Sequence, residues 1–317
     1  MVSASAAGKA ILFGEHAVVY GRPAIAIPVS DRRATATVTP LDTGERTRIV
    51  AEDLSQTYRL DREYDDDDHA RPLQATVRNV LEHLGLDPEE ETLRVAVHSR
   101  IPIASGLGSG TAVATAMIRA LATHYGRDLS PETVSQLVYE TEVLFHGTPS
   151  GIDNTVVAYE KPVYFRQGKV DPFVVEAPFH LLVADTGIPS RTRDTVAAVR
   201  KRWEEKRRIY EMLFDKIGDL TERAREALEK GEHAQMGRLM NANQNLLSQL
   251  GVSGPALNML IEATHRTGAL GAKLSGGGRG GCMLALVEEE TRQNVRRALF
   301  DAGASEVMST SVPALRA

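Results

Sequence analysis

The sequence predicts a protein of mixed helices and strands that is long enough for about two domains. The chain has 317 residues, of which 42% are hydrophobic and 25% are charged, as in an ordinary globular protein. Apolar residues alternate in short runs such as Leu93–Val97, which predicts strands, and follow helical spacing in longer runs such as Leu73–Leu84. Because both patterns recur along the chain, we expect helices and strands in both halves.

In the amino-terminal half, β-rich and small apolar runs predict the strands, and runs with helical spacing predict the helices. One helix start is well marked at Ser130-Pro131-Glu132, with an N-cap hydroxyl, a proline at the first position and an acid in the first turn. The predicted strands are Ala10–Phe13, Ala24–Val29, Ala34–Val38, Arg46–Val50, Thr57–Leu60 and Leu93–Val97, and the other predicted helices are Leu73–Leu84 and Ala112–Tyr125.

The carboxy-terminal half is richer in helices. Its predicted strands are Val163–Phe165, Leu181–Ala184 and Met283–Val287, and its predicted helices are a long region from Arg193 to about Lys230, then Met236–Leu250 and Pro255–His265. The first two of these strands flank a junction, so we place a domain boundary near residue 178. The predicted domains are therefore 1–178 and 179–317.

Charge and cysteine content exclude several classes of protein. The net charge of −5 and the lack of a basic patch give no support for binding of a nucleic acid or a membrane surface. The single cysteine, Cys282, excludes an internal disulfide, fits a reducing compartment and is interpreted as a small buried residue. We expect neither a signal peptide nor a membrane span, and we predict a cytoplasmic protein.

The stretch Pro-Ile-Ala-Ser-Gly-Leu-Gly-Ser-Gly-Thr joins a predicted strand to a predicted helix. A glycine-rich turn at a helix start suits an anion, because free backbone N–H groups converge there with the positive end of the helix dipole. We interpret this turn as a cradle for a triphosphate. The residues assigned to it are Pro102, Ser105, Gly106, Leu107, Gly108, Ser109, Gly110 and Thr111.

Two better-known phosphate-binding turns do not fit this stretch. A Walker loop ends in Gly-Lys-Ser/Thr, and no lysine lies between Lys9 and Lys161. A dinucleotide-binding turn requires its third glycine where Thr111 stands. An ordinary corner that uses glycine only for its geometry remains the alternative.

Glu15 and His16 lie side by side where an apolar run is interrupted. Burial of two such side chains is unfavourable unless both have partners. Two interpretations stay open: a solvated turn, or a polar pocket for a small hydroxylated acid.

Three stretches resemble the motifs of one kinase family. Gly8–Ala24, with the string Gly-Glu-His-Ala-Val-Val-Tyr-Gly, is similar to the first motif of the mevalonate kinases. These enzymes belong to a superfamily with the galactokinases, homoserine kinases and phosphomevalonate kinases. Pro102–Thr111 resembles the ATP-binding second motif, and Lys273–Cys282 resembles the third. The resemblance covers essentially the whole chain.

The resemblance implies an α+β fold with two domains. The amino-terminal domain is expected to be ribosomal-protein-S5-like and to bind ATP, and the carboxy-terminal domain is expected to be ferredoxin-like and to complete the substrate site. The implied reaction uses ATP and Mg²⁺ to phosphorylate the primary hydroxyl of (R)-mevalonate, giving 5-phosphomevalonate for isoprenoid synthesis. A homodimer is also implied.

The resemblance further implies a catalytic set. Asp153, in the loop 146–154, stands at the position of the base, and a carboxylate suits that task because it accepts a hydroxyl proton as the oxygen attacks phosphorus. Lys9 is its expected companion, which stabilises the developing negative charge. Periodicity alone leaves Glu140 and Glu142 equivalent, and the resemblance assigns Glu142 to Mg²⁺, together with Ser109.

Four residues are expected to bind mevalonate: Glu15, His16, Thr192 and Arg193. The guanidinium of Arg193, with neighbouring Arg191, is suited to hold a carboxylate in a fork. The alternative is that these basic residues only begin a charged surface helix.

Two positions depart from the family pattern. Gly110 stands where the family has a second serine, so the hydroxyl at the metal must come from Ser109 or Thr111, unless Glu142 and water hold the metal alone. Arg279 replaces a usual glycine of the third motif, and an arginine there favours an acceptor that is already phosphorylated.

Three other functions fit parts of this pattern. Phosphomevalonate kinase and homoserine kinase activities share the fold; Arg279 favours the first, and the string Glu15–Tyr20 argues against both. A nucleotide-binding regulator without catalysis is less favoured, because Lys9, Glu142 and Asp153 are all present.

Overall fold

The computed structural model describes residues 1–42, 44–64, 67, 69–102, 105–146 and 149–314. The chain forms two compact units. The first unit comprises Met1–Gly8, Arg32–Pro102 and Gly108–Glu160, and the second comprises Lys9–Asp31, Ile103–Leu107 and Lys161–Ala317. The domain boundary at residue 178 stays a prediction.

The strands, numbered in chain order, are β1 (Val2–Phe13), β2 (Ala24–Pro40), β3 (Arg48–Ala51), β4 (Gln56–Arg59), β5 (Leu93–Ser99), β6 (Val163–Arg166), β7 (Lys169–Pro172), β8 (Phe179–Asp185), β9 (Gly271–Leu274), β10 (Cys282–Val287) and β11 (Glu306–Val312). The two strands predicted at 24–29 and 34–38 form one strand, β2. Its first residues pair with β6 and its last with β5, so the backbone stays extended through the charged residues 31–33.

The helices are α1 (Ala70–His83), α2 (Ser109–His124), α3 (Pro131–His146), α4 (Ile152–Tyr159), α5 (Thr192–Glu205), α6 (Arg207–Glu229), α7 (His233–Gln249), α8 (Pro255–Arg266) and α9 (Glu289–Asp301). The predicted start of α3 is confirmed, because the hydroxyl of Ser130 accepts a hydrogen bond from the N–H of Thr133 at 3.1 Å. None of the described helices combines the length and the hydrophobicity that crossing a bilayer requires.

The first unit contains the sheet order β4-β3-β5-β2 and the helices α1–α4. Strand β3 runs parallel to β5, with Ile49 opposite Val95, and antiparallel to β4. This pairing confirms the strands predicted at 46–50 and 57–60. Helix α2 packs on β5 and on the other three helices of the unit, which buries Met117 and Leu121.

The second unit contains an antiparallel four-stranded sheet with the order β11-β8-β10-β9, together with helices α5–α9. Its core joins the sheet to the helices through buried residues such as Leu182, Phe214, Leu247 and Leu260. The long helical region predicted after Arg193 is two helices, α5 and α6, which are separated at Lys206. The predicted α+β fold class is confirmed.

Candidate active site

The glycine-rich turn lies between β5 and α2, as predicted. Gly106 and Gly108 have φ values of 84° and 73°, the left-handed region that favours glycine. A Cβ atom placed at Gly106 or Gly110 would meet no atom within 4 Å, so the space beside the turn is open. Since the first N–H groups of α2 have no partner within the helix, this turn has the features of an anion site.

Two hydroxyls at the start of α2 have different partners. The Ser109 hydroxyl lies 3.1 Å from that of Ser99 and donates to the carbonyl of Ile101 at 3.3 Å. The Thr111 hydroxyl instead donates to Oε1 of Glu142 at 2.6 Å. Of the two hydroxyls, Ser109 and Thr111, that could serve at the metal, Thr111 is therefore the one that contacts Glu142.

Glu142 is half-buried on α3, whereas Glu140 is exposed and accepts a hydrogen bond from Gln136 at 3.0 Å. Helical periodicity left these two carboxylates equivalent, and packing separates them. A carboxylate beside a hydroxyl is the oxygen donor set that Mg²⁺ prefers, so Glu142 and Thr111 fit that ion.

Asp153 was predicted in a loop but lies in the first turn of helix α4, which begins directly after Gly151. Gly151 has a φ of 83°, so the chain turns there and the helix starts within the predicted loop. The helix dipole favours a carboxylate at this position. The adjacent Asn154 is buried, and its Nδ2 donates to the carbonyl of Ser135 at 3.1 Å and to its hydroxyl at 2.9 Å. Sequence reasoning missed Asn154, which anchors the start of α4 to α3. Gly147 and Thr148, in the predicted loop, lie outside the described residues.

Lys9 is buried on β1, and its N–H donates to the carbonyl of Leu107 at 2.9 Å. This bond ties β1 to the glycine-rich turn within the second unit. Lys9 belongs to the second unit and Asp153 to the first. That the Lys9 ammonium and the Asp153 carboxylate both lie at the γ-phosphate of ATP stays a prediction.

Glu15 and His16 are both buried, so the solvated turn is excluded. The Lys273 ammonium donates a hydrogen bond to Oε1 of Glu15, and Asn243 Nδ2 lies 3.3 Å from Oε2. Lys273 also donates to the carbonyl of Leu274 at 2.7 Å. Burial raises the pKa of Glu15 and lowers the pKa of Lys273, and the attraction between the two charges opposes both shifts.

The ring of His16 is fixed by its Nε2 atom, which lies 3.0 Å from the carbonyl oxygen of Gly277. Burial lowers the pKa of His16 to about 4, the nearby charge of Arg202 acts in the same direction, and the bond to Gly277 opposes them. The imidazole is therefore neutral near pH 7. His16 also has a φ of 61°, in the left-handed region.

Thr192 and Arg193 are exposed at the start of α5. A Cβ atom at Gly277 would lie 2.7 Å from Oγ1 of Thr192, so only glycine allows α5 to begin against the third motif. The structure thus brings Thr192 and His16 to the same glycine residue. Arg191 is exposed as well.

Arg279 adopts a φ of 60°, and its Nη2 donates to the carbonyl of Gly251 at 3.3 Å. Its side chain is therefore bound to the segment between α7 and α8. The thiol of Cys282 is buried, as predicted, and burial raises its pKa. Sequence reasoning missed Lys273 as a partner of Glu15; the available signal was a lysine within the otherwise uncharged run 269–274, Ala-Leu-Gly-Ala-Lys-Leu.

Known proteins resemble this chain along its whole length. Residues 72–161 match the GHMP kinases N terminal domain, and residues 224–305 match the GHMP kinases C terminal domain. The mevalonate kinase of Thermococcus sibiricus is 38% identical, with 97% of this chain and 95% of the relative covered. That of Pyrococcus horikoshii is also 38% identical, with 92% and 90% covered.

Solved structures agree with these relatives. L. major mevalonate kinase in complex with R-mevalonate superposes with a TM-score of 0.85 at 30% identity, covering 100% of this chain and 97% of that one. Streptococcus pneumoniae phosphomevalonate kinase superposes with a TM-score of 0.82 at 18% identity, covering 98% and 100%, which supports the fold alone. The chain belongs to the GHMP kinases and, among them, to the mevalonate kinase family.

Proposed function

We propose that this chain transfers the γ-phosphoryl group of ATP to the primary hydroxyl of (R)-mevalonate, giving 5-phosphomevalonate and ADP. The observation that carries the proposal is the 38% identity to a mevalonate kinase over 97% of the chain. The open glycine-rich turn at the start of α2 and the contact of Thr111 with Glu142 support it. The chain is an enzyme, a kinase that uses ATP.

The phosphates of ATP would bind the turn 102–111 through backbone N–H groups at the start of α2. Glu142 would hold Mg²⁺ with a hydroxyl, and the 2.6 Å contact favours Thr111 over the expected Ser109. Mg²⁺ bound there would neutralise charge on the phosphate oxygens.

Asp153 would accept the proton of the primary hydroxyl as that oxygen forms a bond to the γ-phosphorus and the bond to the ADP oxygen breaks. Lys9 would stabilise the negative charge on Asp153 and on the attacking oxygen. His16, Thr192 and Arg193 would bind mevalonate, with the guanidinium of Arg193 on its carboxylate.

The acceptor is tested by incubating the protein with ATP and Mg²⁺ and, in separate reactions, mevalonate, phosphomevalonate or homoserine. We expect ADP release with mevalonate only. Release with phosphomevalonate only would support the second candidate, a phosphomevalonate kinase activity. ATP binding without release on any acceptor would support a regulator.

The catalytic base is tested with Asp153→Asn, for which we expect a loss of at least a thousand-fold in kcat. Asp128→Asn, at an exposed carboxylate, is the matched control and should turn over at the wild-type rate. Near-normal turnover by Asp153→Asn would remove the proposed mechanism.

Three further statements are part of the proposal. We assign residues 1–178 to ATP binding and catalysis and residues 179–317 to completion of the substrate site. The family segments 72–161 and 224–305 lie on either side of that boundary. A homodimer and a cytoplasmic location also belong to the proposal.

A further inference from the structure

The carboxylate of Glu15 is engaged on both oxygens by side chains of the second unit. Lys273 donates to Oε1, and Nδ2 of Asn243 lies 3.3 Å from Oε2. The side chain of Lys273 is 0% exposed and that of Glu15 is 1% exposed. Glu15 is therefore an internal counter-ion rather than a group directed at a ligand.

Stability alone does not account for this buried charge pair. Removing two charges from water is unfavourable, and well-packed apolar residues of similar volume often stabilise a protein at least as well. A buried pair with good hydrogen bonds does, however, fix the relative position of the two segments that carry it.

The pair joins two segments of the chain. One is the end of β1 with the turn that follows it, and the other is the end of β9 with the third-motif loop. Two further contacts join the same two segments. The Ser275 hydroxyl accepts from the N–H of Ile11 at 3.1 Å and donates to the Ile11 carbonyl at 3.0 Å. His16 contacts the carbonyl of Gly277 at 3.0 Å. We call these three contacts together the β1–β9 clasp; they are Glu15–Lys273, Ile11–Ser275 and His16–Gly277.

The clasp also determines the tautomer of His16. A carbonyl oxygen only accepts hydrogen bonds, so Nε2 of His16 carries the hydrogen that points to Gly277. The Nδ1 atom is then left with a lone pair, which matches a hydroxyl donor. His16 makes this contact from a left-handed backbone conformation, with a φ of 61°, one residue after Glu15.

We infer that Glu15 and Lys273 are positioning residues, which act on the binding of the hydroxylated acceptor by holding the turn that carries His16. Neither side chain contacts the acceptor. The inference rests on the proposed function and deepens it, because it makes His16 the contact and the charge pair its support.

The test removes both charges together, because Lys273→Met alone would leave an uncompensated buried carboxylate. We expect the double variant Glu15→Gln/Lys273→Met to fold, as judged by circular dichroism, with a KM for mevalonate raised about ten-fold or more. The KM for ATP should change less than two-fold. His16→Asn should raise the KM for mevalonate similarly, and combining it with the double variant should add little, because the residues act as one unit.

The control is Arg119→Met/Glu160→Gln, which neutralises a partly buried ion pair of the first unit whose carboxylate also binds Arg33, and it should leave the KM for mevalonate unchanged. Three results for the double variant would overturn the inference: a normal KM for mevalonate, an equal rise in the KM values for mevalonate and ATP, or failure to fold. The proposed function would still hold in each case if the wild-type chain phosphorylates mevalonate. Absence of mevalonate-dependent ADP release from the wild-type chain would overturn both.

Discussion

The hydroxyl of Thr111, in the first turn of α2, donates a 2.6 Å hydrogen bond to the carboxylate of Glu142 on α3. Ser109 begins the same helix but donates to the carbonyl of Ile101. The two hydroxyls are two residues apart, so they point to different sides of the helix. Their different partners lead to a test of which one is at the metal.

Thr111→Val removes the hydroxyl at nearly constant volume. We expect the Mg²⁺ concentration for half-maximal activity to rise about ten-fold, because one oxygen donor beside Glu142 is lost and a hydrogen bond to a charged group contributes about 1.5–3 kcal/mol. The measurement is ADP release at fixed ATP and mevalonate with varied Mg²⁺. Thr111→Ser, which keeps the hydroxyl, should stay near wild type.

Ser109→Ala is the second arm of this experiment, and we expect a smaller rise than for Thr111→Val. If Ser109→Ala has the larger effect on the Mg²⁺ requirement, the metal is held by the residue that the sequence first indicated.

Gly278 and Gly276 lie in the third-motif loop with φ values of 79° and 77°. A Cβ atom at Gly278 would lie 2.1 Å from the carbonyl oxygen of Val252, whereas a Cβ atom at Gly276 would have no other atom within 4 Å. Gly276→Ala should lower the free energy of unfolding by roughly 1 kcal/mol through the left-handed backbone alone. Gly278→Ala should lower it by about 2 kcal/mol more, because backbone must move.

Urea unfolding, followed by the fluorescence of Trp203, measures both glycine variants. Trp203 is the single tryptophan, and its ring lies 5.1 Å from that of Tyr20 within the second unit. An equal decrease in the free energy of unfolding for the two variants would show that the close approach to Val252 does not affect stability.

The strands and helices that were predicted followed from local patterns, because each has a short period in the sequence. Helices α4 and α9 and strands β7, β9 and β11 were not predicted. Ser130-Pro131-Glu132 marked the start of α3 through groups that act within one turn, and Ser130 forms the expected cap. The glycine-rich turn was equally accessible, since Gly106 and Gly108 require no distant partner to adopt their backbone conformations.

The partners within the site were not accessible in this way. Glu15 and Lys273 are 258 residues apart, and no periodicity relates a turn after the first strand to a strand near the end of the chain. Likewise, the choice of Thr111 over Ser109 depends on how α3 packs on α2. The resemblance supplied residue types at motif positions, and packing determined which of them touch.

Asn154→Ala should weaken catalysis by loosening the first turn of α4, where Asp153 lies. The variant removes two hydrogen bonds to Ser135, so we expect the free energy of unfolding to fall by about 1–3 kcal/mol. We also expect kcat to fall about ten-fold with an unchanged KM for ATP, because the base is displaced. Asn294→Ala, at an exposed position of α9, is the control, and an equal kcat in both variants would contradict the prediction.

His16 should make the second unit sensitive to acid. Burial lowers its pKa from 6.5 to about 4, so the folded chain holds the neutral ring while the unfolded chain takes up a proton below pH 6.5. Stability from this group is therefore complete above pH 6.5 and is lost as the pH falls towards 4, by about 3 kcal/mol in total. This loss of stability is measured by urea unfolding of the wild type and of His16→Asn at pH 7.5, 6, 5 and 4.5, followed by the fluorescence of Trp203. The variant should lose less stability on acidification, and parallel losses would show that His16 is not the group that takes up the proton.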